Sequence, residues 1–174
     1  MKKLLIIFLA FSTFFAWSQE SHKLKLQSGI YKLPKADLVI QLVPLENEVV
    51  GNVYYRILQF KEIPNSNEKN VMEAMGIDFL YYLPENAFIA SIKTSNSIDV
   101  EYLEDKLESI APMSASMKLS KLVWEQNFPE YAIDGNDVKI VALVYDGLEL
   151  DVIKPFLAQV SAKYNCQFEY FNND

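Results

Sequence analysis

Cysteine, histidine and arginine each occur once in this chain, at Cys166, His22 and Arg56, and glycine occurs only five times. A lone cysteine excludes an intrachain disulfide framework and any zinc or iron–sulfur site built from cysteines. A lone histidine excludes multi-histidine metal sites and leaves little material for a hydrolytic triad. With Arg56 as the single arginine, no basic stripe exists to follow a phosphate backbone, so nucleic acid is not an expected partner. The scattered glycines form no phosphate-cradling loop. No cofactor, metal site or catalytic group is therefore expected in this chain, and the reading is of a non-enzyme.

What is present is apolar and acidic. Of 174 residues, 51% are hydrophobic and 13% aromatic, which is too rich for a disordered chain and enough for one domain of ordinary size or two small ones. The N-terminus reads as an export signal rather than as part of the fold. Lys2 and Lys3 precede an apolar run over residues 4–17, broken by Ser12 and Thr13. Ala16-Trp17-Ser18 then supplies small residues at the cleavage positions, with cleavage expected before Gln19. The run is short for a membrane span of about 20 residues and lacks a stop-transfer flank, and no cysteine follows it for a lipid anchor. A periplasmic or secreted product with no membrane anchor is expected. Loss of Lys2 and Lys3 leaves 14 basic against 23 acidic side chains, a net charge of about −9, which favours a neutral or basic partner surface.

Residues 19–50 read as a polar-to-mixed arm. His22-Lys23-Leu24-Lys25-Leu26 alternates, Ser28-Gly29 and Leu33-Pro34 punctuate, and residues 38–43 read as a short strand. Residues 53–60 are aromatic and β-branched and apolar on both parities, as in a central strand. Asn65 and Glu68 have capping-box spacing, Val71, Met72 and Met75 form an apolar stripe, and Gly76 stands where a helix closes. Residues 77–83 and 87–92 then read as a hairpin about Pro84-Glu85-Asn86. A second helix is expected from an N-cap at Ser97 through Val100, Leu103, Leu107 and Ile110, with Glu101, Glu104, Asp105 and Glu108 on its solvated face. Residues 111–115 are expected as an edge strand, because Pro112 cannot donate to a ladder.

The order over residues 51–117 is thus β-α-β-β-α-β, an α+β, ferredoxin-like arrangement with an antiparallel sheet and both helices on one face. Residues 118–137 read as a linker. Residues 138–174 then begin the pattern again, with a strand over 138–145, a helix over 154–164 beginning near Pro155, and a strand from Cys166 to Tyr170. This is a second, incomplete βαβ unit. Cys166 shares a strand parity with Phe168 and Tyr170, which gives it a buried apolar role. His22 reads as a solvated residue of the arm.

One surface suggests a partner. If Ile77, Phe79, Tyr81 and Leu83 face the helices, Leu80 and Tyr82 lie on the open sheet face with Tyr54, and an apolar open face needs a cover. The cover is either another protein, or the arm or second unit of the same chain.

The runs Gly51-Asn52-Val53-Tyr54-Tyr55-Arg56-Ile57-Leu58-Gln59-Phe60, Ile63-Pro64, Met75-Gly76-Ile77 and Tyr82-Leu83-Pro84-Glu85-Asn86-Ala87-Phe88-Ile89-Ala90 carry a further signal. Lys118-Leu119-Ser120, Phe128-Pro129-Glu130-Tyr131-Ala132 and Gly135-Asn136 continue it. Together they resemble the N-terminal pro-region of secreted subtilisin-like serine proteases (subtilases) of the fervidolysin type. The resemblance implies a ferredoxin-like pro-domain that assists folding of a peptidase domain and inhibits it, in cis or in trans, packing its open sheet face on the enzyme. The protease triad segments are absent from these residues, so the peptidase itself is not expected here. The alternative expectation is a stand-alone periplasmic or secreted binding module on the same scaffold.

Overall fold

A computed structural model describes residues 22–164 together with 166 and 167. The proposed signal peptide lies outside the described residues. Two N-terminal strands, β1 (His22–Leu26) and β2 (Gly29–Leu33), pair as an antiparallel hairpin. A single helical turn, α1 (Leu38–Gln41), and a 3-10 turn at Glu46–Glu48 lead to β3 (Val53–Phe60). Then come α2 (Ser66–Ala74), β4 (Ile77–Leu83), β5 (Ala87–Lys93), α3 (Val100–Glu104) and β6 (Leu107–Ala111).

The four strands β3 to β6 form one sheet in the order β4-β5-β3-β6, antiparallel at every junction. That order follows from the connections. Helix α2 carries the chain from β3 to β4 and leaves a gap that β5 fills by hairpin, and α3 returns β6 to the far side of β3. The result is the ferredoxin-like α+β arrangement. Strand β3 is central, and its aromatic and β-branched residues are buried on both faces of the sheet.

Local chemistry sets the first helix. Asn65 Oδ1 accepts from the Glu68 N–H at 3.1 Å, and Glu68 Oε2 accepts from the Asn65 N–H at 2.9 Å, closing a capping box. Gly76 ends α2 with φ +85°, and a Cβ there would lie 2.6 Å from Asn96 Nδ2, so both conformation and space select glycine. Met72 of α2 and Leu103 of α3 join Tyr54, Leu58 and Phe60 of β3 in one core, which places both helices on the same face of the sheet.

Three expectations need correction within this domain. Residues 38–43 do not form a strand: Leu38 and Leu42, one helical turn apart, are both buried, so the turn α1 satisfies their burial better than alternation would. The second helix starts after Asp99, whose carboxylate accepts from the Tyr102 N–H at 3.1 Å, and ends at Glu104. Leu107 and Ile110 belong to β6, paired with Phe60 and Leu58. Extending the helix would stack Glu101 on Asp105 and Glu104 on Glu108, whereas the strand gives Leu107 and Ile110 a buried partner. Pro112 accordingly follows the edge strand instead of lying within it.

The arm is also more than a leader. Leu24 of β1 and Leu33 of β2 are fully buried against Ile57, Ala87 and Ala111, so the hairpin covers part of the sheet face opposite the helices. Beyond β6 the chain forms the short helices α4 (Ala115–Lys118) and α5 (Lys121–Trp124), a 3-10 turn at Glu130–Ala132, and a two-residue hairpin, β7 (Ile133–Asp134) with β8 (Asp137–Val138). The strand expected over residues 138–145 does not form beyond Val138, and among the described residues no strand lies beside residues 139–145 to bond them. Helix α6 (Leu150–Tyr164) starts earlier than expected and holds Pro155 inside it. Cys166 and Gln167 are not in a strand, and the rest of the expected strand at 166–170 lies outside the described residues. Among the described residues, no helix is long and apolar enough to cross a membrane.

Candidate functional site

The face of the sheet away from the helices is built by alternate residues of each strand. On β3 these are Tyr55, Ile57 and Gln59, because Tyr54, Leu58 and Phe60 join the helix-side core. On β5 they are Ala87, Ile89 and Ser91. On β4 the alternation breaks: Phe79 pairs with Ala90, and the next pair is Tyr81 with Ile89, leaving Leu80 unpaired in a bulge. One extra residue inverts every side chain that follows. Tyr81 and Leu83 therefore lie on the open face, and Tyr82 lies on the helix side, opposite Phe88 with ring centroids 5.2 Å apart.

This corrects the facing expected for the three residues proposed from strand parity. Tyr54 is 3% exposed on the helix side, and its hydroxyl donates to the Leu42 carbonyl. Tyr82, though 56% exposed, sits beside Phe88 at the margin of the helix-covered face. Leu80 occupies the bulge itself. The aromatic residues on the open face are Tyr55 and Tyr81. Strand β3 is apolar on both parities, so alternation could not choose between Tyr54 and Tyr55, and the bulge at Leu80 had no composition signal such as glycine.

Tyr145 inserts between these two rings, with centroids 4.6 Å from Tyr55 and 6.2 Å from Tyr81. Tyr81 donates from its hydroxyl to Asp146 Oδ2 at 3.0 Å, and Tyr145 donates to Met113 Sδ at 2.9 Å. Burial, with the neighbouring Tyr145, pushes the Tyr55 hydroxyl up to about 12. Burial and Tyr81 raise Tyr145 as well, and the bond to Asp146 raises Tyr81. The hairpin β1–β2 covers one part of the open face, and the segment carrying Tyr145 covers another.

Beside this cluster lies a cleft of about 520 Å³, walled by Tyr55, Met113, Leu143 and Phe156 and bordered by Glu48 and Arg56. Its charged groups are engaged with each other. Arg56 is 3% exposed; Nη2 donates to Glu48 Oε2 at 2.8 Å, Nε to the Gln41 carbonyl at 2.8 Å and Nη1 to the Tyr55 carbonyl at 2.9 Å. Burial acts to raise the Glu48 carboxyl. The Leu45 N–H, the Arg56 guanidinium and the charge of Lys118 outweigh it and hold Glu48 below the usual carboxylate range. The one arginine is thus a structural tie between the sheet and the 41–48 loop.

The other residues singled out earlier are not brought together. His22 is half-buried, with Nδ1 3.3 Å from Glu108 Oε2, and so is less solvated than expected. Glu108 lies on β6, apart from Glu101 and Glu104 of α3. Cys166 is partly buried just beyond α6, its carbonyl accepting from Ser161 Oγ. Among the described residues, no three His, Cys, Asp or Glu side chains are grouped to hold a metal ion.

The most exposed apolar surface lies elsewhere. Ile140, Val141 and Leu143 are 58%, 82% and 90% exposed, and Trp124 and Tyr131 add to the same C-terminal region. Comparison with known families finds one match, described as a domain of unknown function (DUF8729), over residues 20–114. The chain belongs to this family. The matched DUF8729 region begins just before the β1–β2 hairpin and ends just after β6, so the hairpin falls within the same family unit as the four-stranded sheet. No curated protein and no solved structure matches the chain.

Proposed function

We propose that this chain is an exported, non-catalytic protein-interaction module, with its DUF8729 unit as the rigid base and residues 115–164 as the partner-seeking part. The observation that carries this reading is the apolar run at residues 138–144, whose side chains are left in solvent, whereas the strands of the base bury theirs in two cores. Contiguous exposed apolar surface of this kind marks interaction sites. The test is a photo-reactive residue placed at Val141 or, as a control, at Glu73 on the exposed side of α2, in cells that produce the chain. Adducts with protein from position 141 and none from position 73 are expected. Equal yields from both positions, or no protein adduct from 141, would remove the reading.

A narrower form of it is the subtilase pro-domain suggested by the sequence resemblance. The ferredoxin-like strand order supports that form. The open face that such a pro-domain would present is, in this chain, partly covered by β1–β2 and by Tyr145. Slowed hydrolysis of a chromogenic peptide by a subtilisin-like protease, on adding the purified chain, is the expected result for a pro-domain. Unaltered rates across a panel of such proteases would leave only the general module.

A further inference from the structure

Residues 22–36 are the basic part of an acidic chain. They hold His22, Lys23, Lys25, Lys32 and Lys35 and no aspartate or glutamate. The antiparallel register of β1–β2 sets Lys23 opposite Lys32 and Lys25 opposite Ile30. Opposed residues share a face, and so do residues two apart along a strand, so Lys23, Lys25, Ile30 and Lys32 form one tile. Leu24 and Leu33, on the other face, are buried against the sheet, which turns the tile outward. Its three lysines are exposed, and Ile30 beside them is 68% exposed.

The tile is held from beneath, since Gln59 Nε2 of the central strand donates to the Lys23 carbonyl at 3.2 Å. Lys25 Nζ lies 3.3 Å from Glu85 Oε1, a contact open to water on both sides. Among the described residues, Lys23 and Lys32 make no ion pair. Like charges set directly across a strand pair cost stability, and an isoleucine left in water beside them contributes none. Lysines on a hairpin guard its edges against strand addition, but that role needs no apolar side chain among the charges.

We infer that the outer face of β1–β2 is a contact site for an anionic phospholipid surface. The three ammonium groups meet headgroup phosphates, and Ile30 enters the layer beneath them. Charge complementarity selects an anionic partner: the tile is positive where the rest of the chain is acidic, so the molecule meets such a surface in one orientation. Shape and composition select lipid. The tile is a flat strand pair whose lysines are point charges suited to mobile headgroups, and it holds no arginine to grip a fixed phosphate or carboxylate in two places. An aliphatic side chain set among cations matches a headgroup layer over acyl chains. Three lysines and one isoleucine make a reversible contact and not an anchor. The site goes beyond the protein partner proposed for residues 115–164 and lies on the other region of the chain.

The experiment is co-sedimentation with vesicles of the chain from Gln19 onward, because the apolar run at residues 4–17 would bind lipid by itself. Vesicles of equal parts phosphatidylglycerol and phosphatidylcholine are expected to carry the chain down at low salt. Vesicles of phosphatidylcholine alone should leave it in solution. Lys23→Gln/Lys25→Gln/Lys32→Gln should lower partitioning about a hundred-fold, at about five-fold for each lysine. Ile30→Ser should lower it about ten-fold. All four positions are exposed, so the thermal midpoint should hold in each variant, which separates lost contact from lost fold. A native chain that ignores the anionic vesicles, or a lysine or serine variant that partitions as the native chain does, would overturn the proposal. Capture by immobilised polyglutamate with the same lysine dependence and no effect of Ile30→Ser would also overturn it, by making the occupant an acidic protein surface.

Discussion

Residues 22–111 and residues 115–164 have similar apolar content but spend it differently. In the first region, Phe60, Ile57, Leu58, Met72 and Leu24 are buried in two cores built from several elements, although Ile30, Val39, Ile40, Val43 and Leu45 at its margin stay exposed. In the second, Trp124, Tyr131, Val141, Leu143 and Phe156 face solvent, and attachment to the base runs through Met117, the Ser116 carbonyl bonded by Tyr31, and Tyr145 between Tyr55 and Tyr81. The difference comes from pairing. Each strand of the first region has at least one strand beside it in its sheet, whereas among the described residues none lies beside residues 139–145. Hydrophobic composition alone therefore does not make a core; it does so only where the backbone has somewhere to bond.

The largest test of this contrast is Phe60→Ala. Phe60 is 1% exposed, with ring centroids 6.0 Å from both Phe79 and Phe88, so truncation should cost about 4 kcal/mol in urea unfolding. Leu143→Ala, at a similarly apolar position in the second region, should change stability by about 0.5 kcal/mol or less under monomeric conditions. Comparable losses at the two positions would show that residues 138–144 are packed in solution and would erase the contrast.

Arg56→Met comes next. It leaves Glu48 without its guanidinium partner and frees the Gln41 and Tyr55 carbonyls, so about 3 kcal/mol should be lost. Adding Glu48→Leu should recover part of that loss by removing the orphaned carboxylate. If the double variant is no more stable than Arg56→Met alone, the carbonyl contacts rather than the ion pair hold the 41–48 loop. Tyr145→Ala should cost less, about 1 kcal/mol, through its aromatic contacts with Tyr55 and Tyr81. Its effect should be local: faster amide exchange and proteolysis within residues 139–149, with β3 and β5 protected as before. Equal loss of protection in the sheet would mean that the two regions unfold as one.

The division between what was legible in the sequence and what was not follows the same physics. Strand β3, the Asn65–Glu68 cap, Gly76 and the β4–β5 hairpin were legible because each depends on residues close together in the chain. The boundary between α3 and β6 was not, since Leu103, Leu107 and Ile110 fit helical spacing and only pairing with β3 makes the last two a strand. Leu38 and Leu42 gave the converse error, an alternation that burial resolved as a turn of helix. The facing of Tyr54 and Tyr82 was lost at two points: a doubly apolar strand, and a bulge at Leu80 that is visible only in the register. The strand-like run at 138–145 was legible as a composition but not as a structure, because a strand needs a partner that local sequence does not supply.

The smallest expected effect is a pH dependence with one arm from each side of the comparison. Glu48, in the packed region, has its carboxyl held below its ordinary 4.5. The folded state therefore binds the proton less readily than the unfolded chain. The stability this contributes is complete above that ordinary value and is lost as pH falls through the lowered one. Tyr55, where the two regions meet, is raised from 10.0 to about 12. Its neutral form is favoured by folding, so that contribution is complete below pH 10 and is lost as pH rises towards 12. Urea midpoints measured across pH should fall at both ends. Glu48→Gln should make the acid arm shallower and leave the alkaline arm unmoved, and Tyr55→Phe the reverse, with Glu68, and Tyr54, Tyr81 and Tyr145, carrying what remains of each. Tyr145→Ala separates the two further: by removing its own raised hydroxyl and opening Tyr55 to water it should flatten the alkaline arm and leave the acid arm unmoved. An alkaline arm that survives Tyr145→Ala would place the cause within the sheet and not at the contact between the regions.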